Sequence, residues 1–262
     1  MFEIDDRIAV AVSGGKDSLS LLHILFKIEQ DFPKSSICAI TVDEGISGYR
    51  DEAIEIAKKN CAELGIAHII VSFKELYGYT LDEIVEKVRG EKLTPCAYCG
   101  ILRRKAINIG GQLAGATKIA TAHTLDDEIQ TFFLNIIHGE PLRIKRTLQT
   151  ENFKVGFIPR VKPLCEVLEK ETALYAYVTN ITFQDEPCPY AGEALRNDVR
   201  RILNYMEEKH PGMKYTIYRS YEKLRDSIML KEIPFKICSD CGEPSSTDLC
   251  QTCQILREIS RV

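Results

Sequence analysis

Arg7-Ile8-Ala9-Val10-Ala11-Val12 runs directly into Ser13-Gly14-Gly15-Lys16-Asp17-Ser18, and behind this loop Leu19, Leu22 and Leu25/Phe26 recur at helical spacing. The order is strand, glycine loop, helix, and it sets the fold class. Adjacent glycines let the backbone approach a ligand, while N–H groups at the helix start, the hydroxyls of Ser13 and Ser18, and Lys16 supply donors and positive charge. Such a pocket suits a phosphate group. The simpler reading of the same six residues is a glycine turn followed by a helix cap. The spacing is not that of a GxxxxGK[ST] loop, and no GxGxxG fingerprint is present, so phosphate binding here does not imply γ-phosphate hydrolysis.

Outward from the loop the alternation continues. Ile37 to Val42 reads as a second strand, residues 51 to 64 as a helix, and His68 to Ser72 as a third strand. A looser charged stretch spans Lys74 to Leu93, residues 96 to 114 resume a helical pattern, Lys118 to Thr121 is a short strand, and Ile129, Phe132/Phe133 and Ile136/Ile137 mark another helix. Strands and helices alternating at these lengths predict an α/β fold with an open, Rossmann-like parallel sheet covered on both faces. Gly156-Phe157-Ile158-Pro159 is expected to end it, with 166 to 179 and 191 to 230 mainly helical. The expected organisation is 1–162 as the nucleotide domain with an inserted CxxC segment, 163–233 as a helical extension completing the site, and 234–262 as a small metal module.

The chain has 262 residues, 45% of them hydrophobic and 27% charged, which supports a sizeable core and argues against extended disorder. Its sequence offers no apolar run of the roughly 18 residues needed for a membrane span and no signal-peptide pattern, so a cytoplasmic protein without membrane partners is expected. With 34 basic and 38 acidic residues the formal charge is −4, and any nucleic-acid site must be a local basic surface. Six of the ten cysteines fall in the pairs Cys96/Cys99, Cys238/Cys241 and Cys250/Cys253. In a reducing compartment this spacing favours metal ligation over disulfides.

In a parallel sheet, ligands bind outside the strand C-termini. Two segments fall there besides the glycine loop: Val42-Asp43-Glu44-Gly45 and Thr121-Ala122-His123-Thr124-Leu125-Asp126-Asp127-Glu128. Asp126 and Asp127 also suit the first turn of a helix, Asp43 a turn cap, and His123 a hydrogen-bonded packing role. Cys96 and Cys99 are close enough to share a metal, although a lone CxxC also fits a redox pair; Cys188, between Pro187 and Pro189, is the distant third candidate. Cys38, Cys61 and Cys165 read as buried, inert thiols. Cys238, Cys241, Cys250 and Cys253, spaced CxxC-x8-CxxC, suit one tetrahedral Zn²⁺ in a structural role. Arg143, Lys145, Arg146, Lys154, Arg160 and Lys162 form a basic run that suits RNA phosphates or a solvated surface, and Arg103-Arg104-Lys105 extends it toward Cys96 and Cys99. Tyr215, Tyr218 and Tyr221 fit helix packing better than base stacking.

Ser13-Gly14-Gly15-Lys16-Asp17-Ser18 resembles the pyrophosphate loop of the PP-loop ATP pyrophosphatase superfamily, whose members adenylate a carbonyl-type oxygen and release pyrophosphate. The His123 to Asp127 segment resembles that superfamily's GHxxDD segment, with Ala122 where glycine is common. With Cys96/Cys99, Cys188 and the C-terminal cysteine pairs added, the chain from position 8 to 253 resembles the tRNA 2-thiouridine synthetases, including the cytoplasmic tRNA 2-thiolation protein 1 group. The resemblance implies an ATP-dependent tRNA uridine 2-sulfurtransferase. It implies ATP and Mg²⁺ held by Ser13, Gly14, Gly15, Lys16, Asp17, Ser18, Val42, Asp43, His123, Asp126 and Asp127. Chemistry would fall to Lys16, Asp17, Asp127, Cys96, Cys99 and Cys188.

The three cysteines are implied to hold a [4Fe-4S] cluster with one iron free for sulfide; a persulfide relay through Cys96 or Cys188 is the competing chemistry. Implied partners are tRNA, a sulfur donor such as inorganic sulfide or a ubiquitin-like thiocarboxylated carrier, and a second copy in a homodimer. Members of that group usually begin with a further four-cysteine zinc ribbon, which this chain is expected to have lost or to lack as a shortened form. The alternatives are a tRNA 2-thiocytidine synthetase and a non-catalytic ATP- and tRNA-binding scaffold subunit.

Overall fold

A computed structural model describes residues 1–88, 93–140, 143–144, 157–191, 195–228 and 236–260. β1 (Arg7–Ala11) lies at the middle of a five-stranded sheet of order β3-β2-β1-β4-β5, completed by β2 (Ser36–Asp43), β3 (Ala67–Ser72), β4 (Lys118–Ala120) and β5 (Arg160–Val161). All four pairings are parallel, so every strand delivers its C-terminal end to one edge of the sheet. From β1 the chain winds outward through β2 and β3 on one side, then crosses back to β4 on the other, which makes the β1/β4 boundary a topological switch point.

Alternation along the strands divides the core. Ala9, Ile40, Val71 and Ile119 belong to the layer that includes Leu102 and Ala106 of α5 (Pro95–Leu113). Ile8, Val10, Ala39 and Ala120 belong to the opposite layer, with Leu19 and Leu22 of α1 (Lys16–Glu29) and Ala57 and Cys61 of α2 (Arg50–Leu64). α5 approaches closely because Gly110 has no side chain: a Cβ there would lie 2.7 Å from Ile40 Cγ2.

The stretch Lys74 to Leu93, expected to be loose, instead contains α3 (Phe73–Tyr77) and α4 (Leu81–Lys87). Ser72 caps the first, and Thr80 and Glu83 form a reciprocal capping box on the second. The doubly wound region does not end at Gly156–Pro159, because β5 follows Pro159 at once and pairs with β4. Gly156 lies outside the described residues. After α6 (Leu125–Ile137) and β5 come α7 (Glu169–Val178), α8 (Leu195–Lys209) and α9 (Met213–Ser227).

Helices α6, α8 and α9 share a third core in which Tyr218 and Tyr221 are buried and Phe132 lies 5.3 Å from the Tyr221 ring, so the tyrosines pack. Antiparallel β6 (Lys236–Ile237) and β7 (Pro244–Ser245) precede α10 (Gln251–Ile259), which sets Ile255 and Ile259 into the layer around α5.

Candidate functional site

The Ser13–Ser18 loop sits at the C-terminal end of β1 and its conformation is set by small residues. Gly14 has φ +90°, and a Cβ there would lie 2.6 Å from the Ala53 carbonyl oxygen, so α2 leaves room for glycine alone. Ser13 N–H donates to Ser18 Oγ at 3.0 Å, and Ser18 Oγ donates to the Gly15 carbonyl at 2.9 Å, closing the loop on itself. Lys16 Nζ reaches Asp17 Oδ2 and Glu169 Oε1, each at 2.9 Å. Burial pulls the Lys16 ammonium down, but Asp17 and Glu169 outweigh it and hold the group above the ordinary lysine value. Asp17 also accepts from the hydroxyl of Thr172 in α7.

Across the switch point, α6 begins with a capping box in which Thr124 N–H donates to Asp127 Oδ2 at 3.0 Å. Asp127 keeps about a third of its side chain exposed, and Arg196 lies 3.8 Å from its other oxygen. Asp126 is 3% exposed. It accepts the Glu169 N–H at 2.8 Å and pairs with Lys214, so its oxygens anchor α7 and α9 to the sheet edge. His123 Nδ1 lies 3.0 Å from Thr121 Oγ1, and burial, with nearby Lys162 adding to it, lowers its pKa and keeps it neutral near pH 7. Asp43 Oδ1 accepts from Gly45 N–H at 2.9 Å, the turn-capping role. Val42 presents its carbonyl to Arg50.

A buried ion group joins this loop to the thiols. Glu44 is 2% exposed and lies between two guanidinium groups, with Arg50 Nε at 2.8 Å and Arg103 Nε at 2.7 Å. Arg50 donates onward to the Ser13 carbonyl at 2.7 Å, and Arg103 Nη2 lies 3.3 Å from Cys99 Sγ. Glu44 and Arg50 flank the β2–α2 connection, whereas Arg103 comes from α5, more than fifty residues later, and the three carry no spacing signal. A small cavity is lined by Val12, Ser13, Val42, Arg50, Arg103 and Ile107, among others.

Cys96 and Cys99 occupy the first turns of α5, where Thr94 caps the helix and Pro95 starts it. The segment bearing Cys188 is pinned on both sides: Gln184 N–H donates to the Gly14 carbonyl at 2.9 Å, and Cys96 Sγ donates to the Tyr190 carbonyl at 3.2 Å. Cys188 thus lies beside the other two and packs against the same core. Burial raises the Cys99 thiol to about 11, with Arg103 pulling the other way. Cys96 is raised by burial and by the proximity of Cys188. Three thiols converging without a fourth suit a metal group that keeps a free position.

In the C-terminal module the Sγ atoms of Cys238, Cys241, Cys250 and Cys253 all lie within 4.8 Å of one another, which fits a single metal ion. Cys250 N–H donates to Cys238 Sγ at 3.3 Å and Cys253 N–H to Cys250 Sγ at 3.4 Å, bonds that favour thiolate. Cys38 and Cys61 sit in apolar layers as expected, whereas Cys165 lies against the Tyr218 hydroxyl.

Among the described residues, several side chains of the basic stretches have partners within the chain. Arg160 donates to the Arg104 carbonyl at 2.5 Å, Lys162 pairs with Glu128 at 2.7 Å, and Arg143 pairs with Glu140. Lys145, Arg146 and Lys154 lie outside the described residues. Arg103 turns in to Glu44, and Lys105 meets Glu243 of the C-terminal module at 3.1 Å. The sequence reading missed Glu169, Arg200 and Lys214, whose helices reach the loop only in three dimensions; Arg200 lies 4.0 Å from Glu169.

Residues 3–206 match a family described as a PP-loop domain. The tRNA 2-thiolation protein NcsA of Haloferax volcanii is 34% identical over 97% of this chain and 82% of its own length. The cytoplasmic tRNA 2-thiolation protein 1 of Chlamydomonas reinhardtii is 38% identical over 100% of this chain and 73% of its own. Among solved structures, the U34-tRNA thiolase NcsA from Methanococcus maripaludis with its [4Fe-4S] cluster is 36% identical, covers 97% of this chain and 81% of that one, and superposes with a TM-score of 0.84.

Proposed function

Since this chain belongs to the PP-loop family, and within it to the tRNA 2-thiolation proteins, we propose that it is an ATP-dependent tRNA uridine 2-sulfurtransferase. The observation that carries the reading is the pinning of the Cys188 segment to Gly14 at one end and to Cys96 at the other. One substrate can then meet the phosphate loop and the thiols together.

Lys16 and the N–H groups and hydroxyls of Ser13 to Ser18 hold the ATP phosphates, and Asp17 and the partly exposed Asp127 are the carboxylates disposed toward Mg²⁺. The uridine C2 oxygen attacks the α-phosphorus, and the bond to the β-phosphate breaks with its electron pair leaving on pyrophosphate. Adenylation makes that oxygen a competent leaving group, and positive charge at the loop stabilises the departing anion. A sulfide equivalent then adds to C2 and expels AMP.

Cys96, Cys99 and Cys188 would hold a [4Fe-4S] group, which when bound would supply an iron able to take up sulfide. Arg103, 3.3 Å from Cys99 Sγ, places a positive charge beside the incoming sulfur. Cys238, Cys241, Cys250 and Cys253 would hold a structural Zn²⁺, and Ile255 and Ile259 of the same module pack into the layer around α5. tRNA is the macromolecular substrate, and the sulfur comes from inorganic sulfide or a thiocarboxylated carrier protein. Among the described residues no helix is long and apolar enough to cross a membrane. A cytoplasmic location is part of this reading, supported by the name of the related cytoplasmic tRNA 2-thiolation protein 1.

Incubation of the anaerobically reconstituted protein with tRNA, ATP and sulfide, followed by nucleoside mass spectrometry, tests this. 2-thiouridine with matching AMP and pyrophosphate is expected. ADP as the nucleotide product, 2-thiocytidine, or no sulfur gain would each overturn it, the last in favour of a scaffold subunit.

A further inference from the structure

One cation beside the loop has an unused donor. Arg200, on α8, is 43% exposed over its side chain, but its Nε atom is covered and has no hydrogen-bond partner among the described residues, and its Nη2 stands 4.0 Å from Glu169 Oε2. Its neighbour one helical turn earlier, Arg196, is differently placed. That guanidinium donates to Gln130 Oε1 at 3.3 Å and Thr131 Oγ1 at 3.1 Å, and it faces Asp127. A covered N–H left unpaired is unfavourable, so a donor in that state beside an anion loop points to a ligand that completes it.

Glu169 is the second half of the arrangement. One carboxylate oxygen takes the Lys16 ammonium at 2.9 Å, and the other faces Arg200. Its backbone is held by Asp126, which accepts the Glu169 N–H at 2.8 Å, and Asp126 is itself paired with Lys214. The side chain, 29% exposed, spans two cations contributed by α1 and α8. A carboxylate at that point repels a triphosphate entering the same loop.

We propose that Glu169 is an internal stand-in for a nucleotide phosphate, and that Arg200 exchanges it for the phosphates of ATP and stabilises the departing pyrophosphate. Lys16 makes the same exchange. As the α-phosphorus gains the uridine oxygen and loses the bridging oxygen, the electron pair passes to pyrophosphate, and the Arg200 guanidinium meets that charge with two directional donors. The inference rests on the reading of Ser13 to Ser18 as the ATP loop, and it adds a helix outside the classical nucleotide fold to the nucleotide site. α8 follows the Cys188 segment in the chain, so the residue that senses the phosphates and the third thiol lie on consecutive parts of the backbone.

The test is calorimetric titration of the full chain with ATP, AMP and inorganic pyrophosphate, with and without Mg²⁺, on wild type, Arg200→Ala and Glu169→Gln. Arg200→Ala is expected to weaken ATP and pyrophosphate about tenfold or more, as for one lost charge-assisted contact, and to leave AMP nearly unchanged. Glu169→Gln is expected to tighten ATP and pyrophosphate severalfold in Mg²⁺-free buffer. Unchanged ATP affinity in Arg200→Ala overturns the inference. So does weaker binding in Glu169→Gln confined to the Mg²⁺ titrations, which would make Glu169 a metal ligand. Wild-type protein that binds neither ATP nor pyrophosphate would instead sink the reading of the loop itself. The Glu169→Gln arm stands alone if Arg200→Ala fails to fold.

Discussion

The two cysteine sites of this molecule use the same residue in opposite ways. At the C-terminus four thiols from one short stretch close within 4.8 Å, and α10 and a two-stranded ribbon hold them. Near the sheet edge only three converge, two from the start of α5 and one from a segment nearly ninety residues later, with Arg103 in place of a fourth thiol. A closed tetrad has no position left for a reactant, whereas an open triad beside a guanidinium does.

Protonation follows the same division. Burial pushes the Cys238 thiol up, but the N–H groups of Cys250, Cys241 and Asp240 outweigh it and bring it to about 6. Cys253 is raised by burial first and then by the neighbouring thiols, and Cys250 is raised by burial, with the Cys253 N–H and thiol pulling the other way. The tetrad therefore readily holds one thiolate by itself, and a divalent cation is what lets it hold more. Cys96 and Cys99 are both raised by burial, and the charge that counters it comes from a side chain which also contacts Glu44.

The sharpest way to break the comparison is a single substitution in each site. Cys188→Ser is expected to lower 2-thiouridine formation by roughly 100-fold or more, beyond the range typical of outer-shell groups, while zinc content and thermal midpoint stay at wild-type values. Nucleoside mass spectrometry with zinc analysis reads both. Cys253→Ser should do the reverse: zinc is lost, and a deficit of a few kcal/mol lowers the Tm by roughly 10 °C, measured by calorimetry. A Cys253→Ser protein with unaltered Tm would remove the structural role of the tetrad.

Glu44→Gln tests the connection between loop and triad. It leaves Arg50 and Arg103 without their shared counter-charge, and breaking a buried ion group of this kind costs about 3 kcal/mol in denaturant unfolding. The smallest effect concerns His123. Burial keeps it neutral in the fold, so the unfolded chain binds the extra proton. Its contribution is intact above the ordinary histidine pKa of about 6.5 and is lost as the pH falls below it. His123→Asn should flatten the acid side of the stability profile over that window, and an unchanged slope would count against the neutral, buried assignment.

Local pattern carried the sheet well. The run Arg7 to Val12 and the helical spacing of Leu19, Leu22 and Leu25 are short-range signals, and they place β1, the loop and α1 correctly. Helices α3 and α4 were legible only in their caps, since Thr80-x-x-Glu83 is a capping box that a periodicity reading passes over. β5 is two residues long and shows itself only through pairing with β4.

At the site, sequence spacing found the glycine loop, the thiols and the carboxylates at the strand ends. It did not find the Arg50–Glu44–Arg103 group or the Lys16–Glu169–Arg200 series, because the contacts of Arg103 with Glu44 and of Glu169 with Lys16 join elements distant in the chain. Charge counting also could not show the intramolecular partners of Arg160 and Lys162. β5 and its C-terminal flank turn the first toward the Arg104 carbonyl and the second toward Glu128, which composition cannot show.

The division between an open and a closed thiol site is tested most directly by counting metals. Mössbauer spectra and zinc analysis of the anaerobically reconstituted wild type should give about four irons and one zinc per chain, and Cys188→Ala should lose the four-iron signal while keeping its zinc. An unchanged four-iron spectrum in Cys188→Ala would contradict the account.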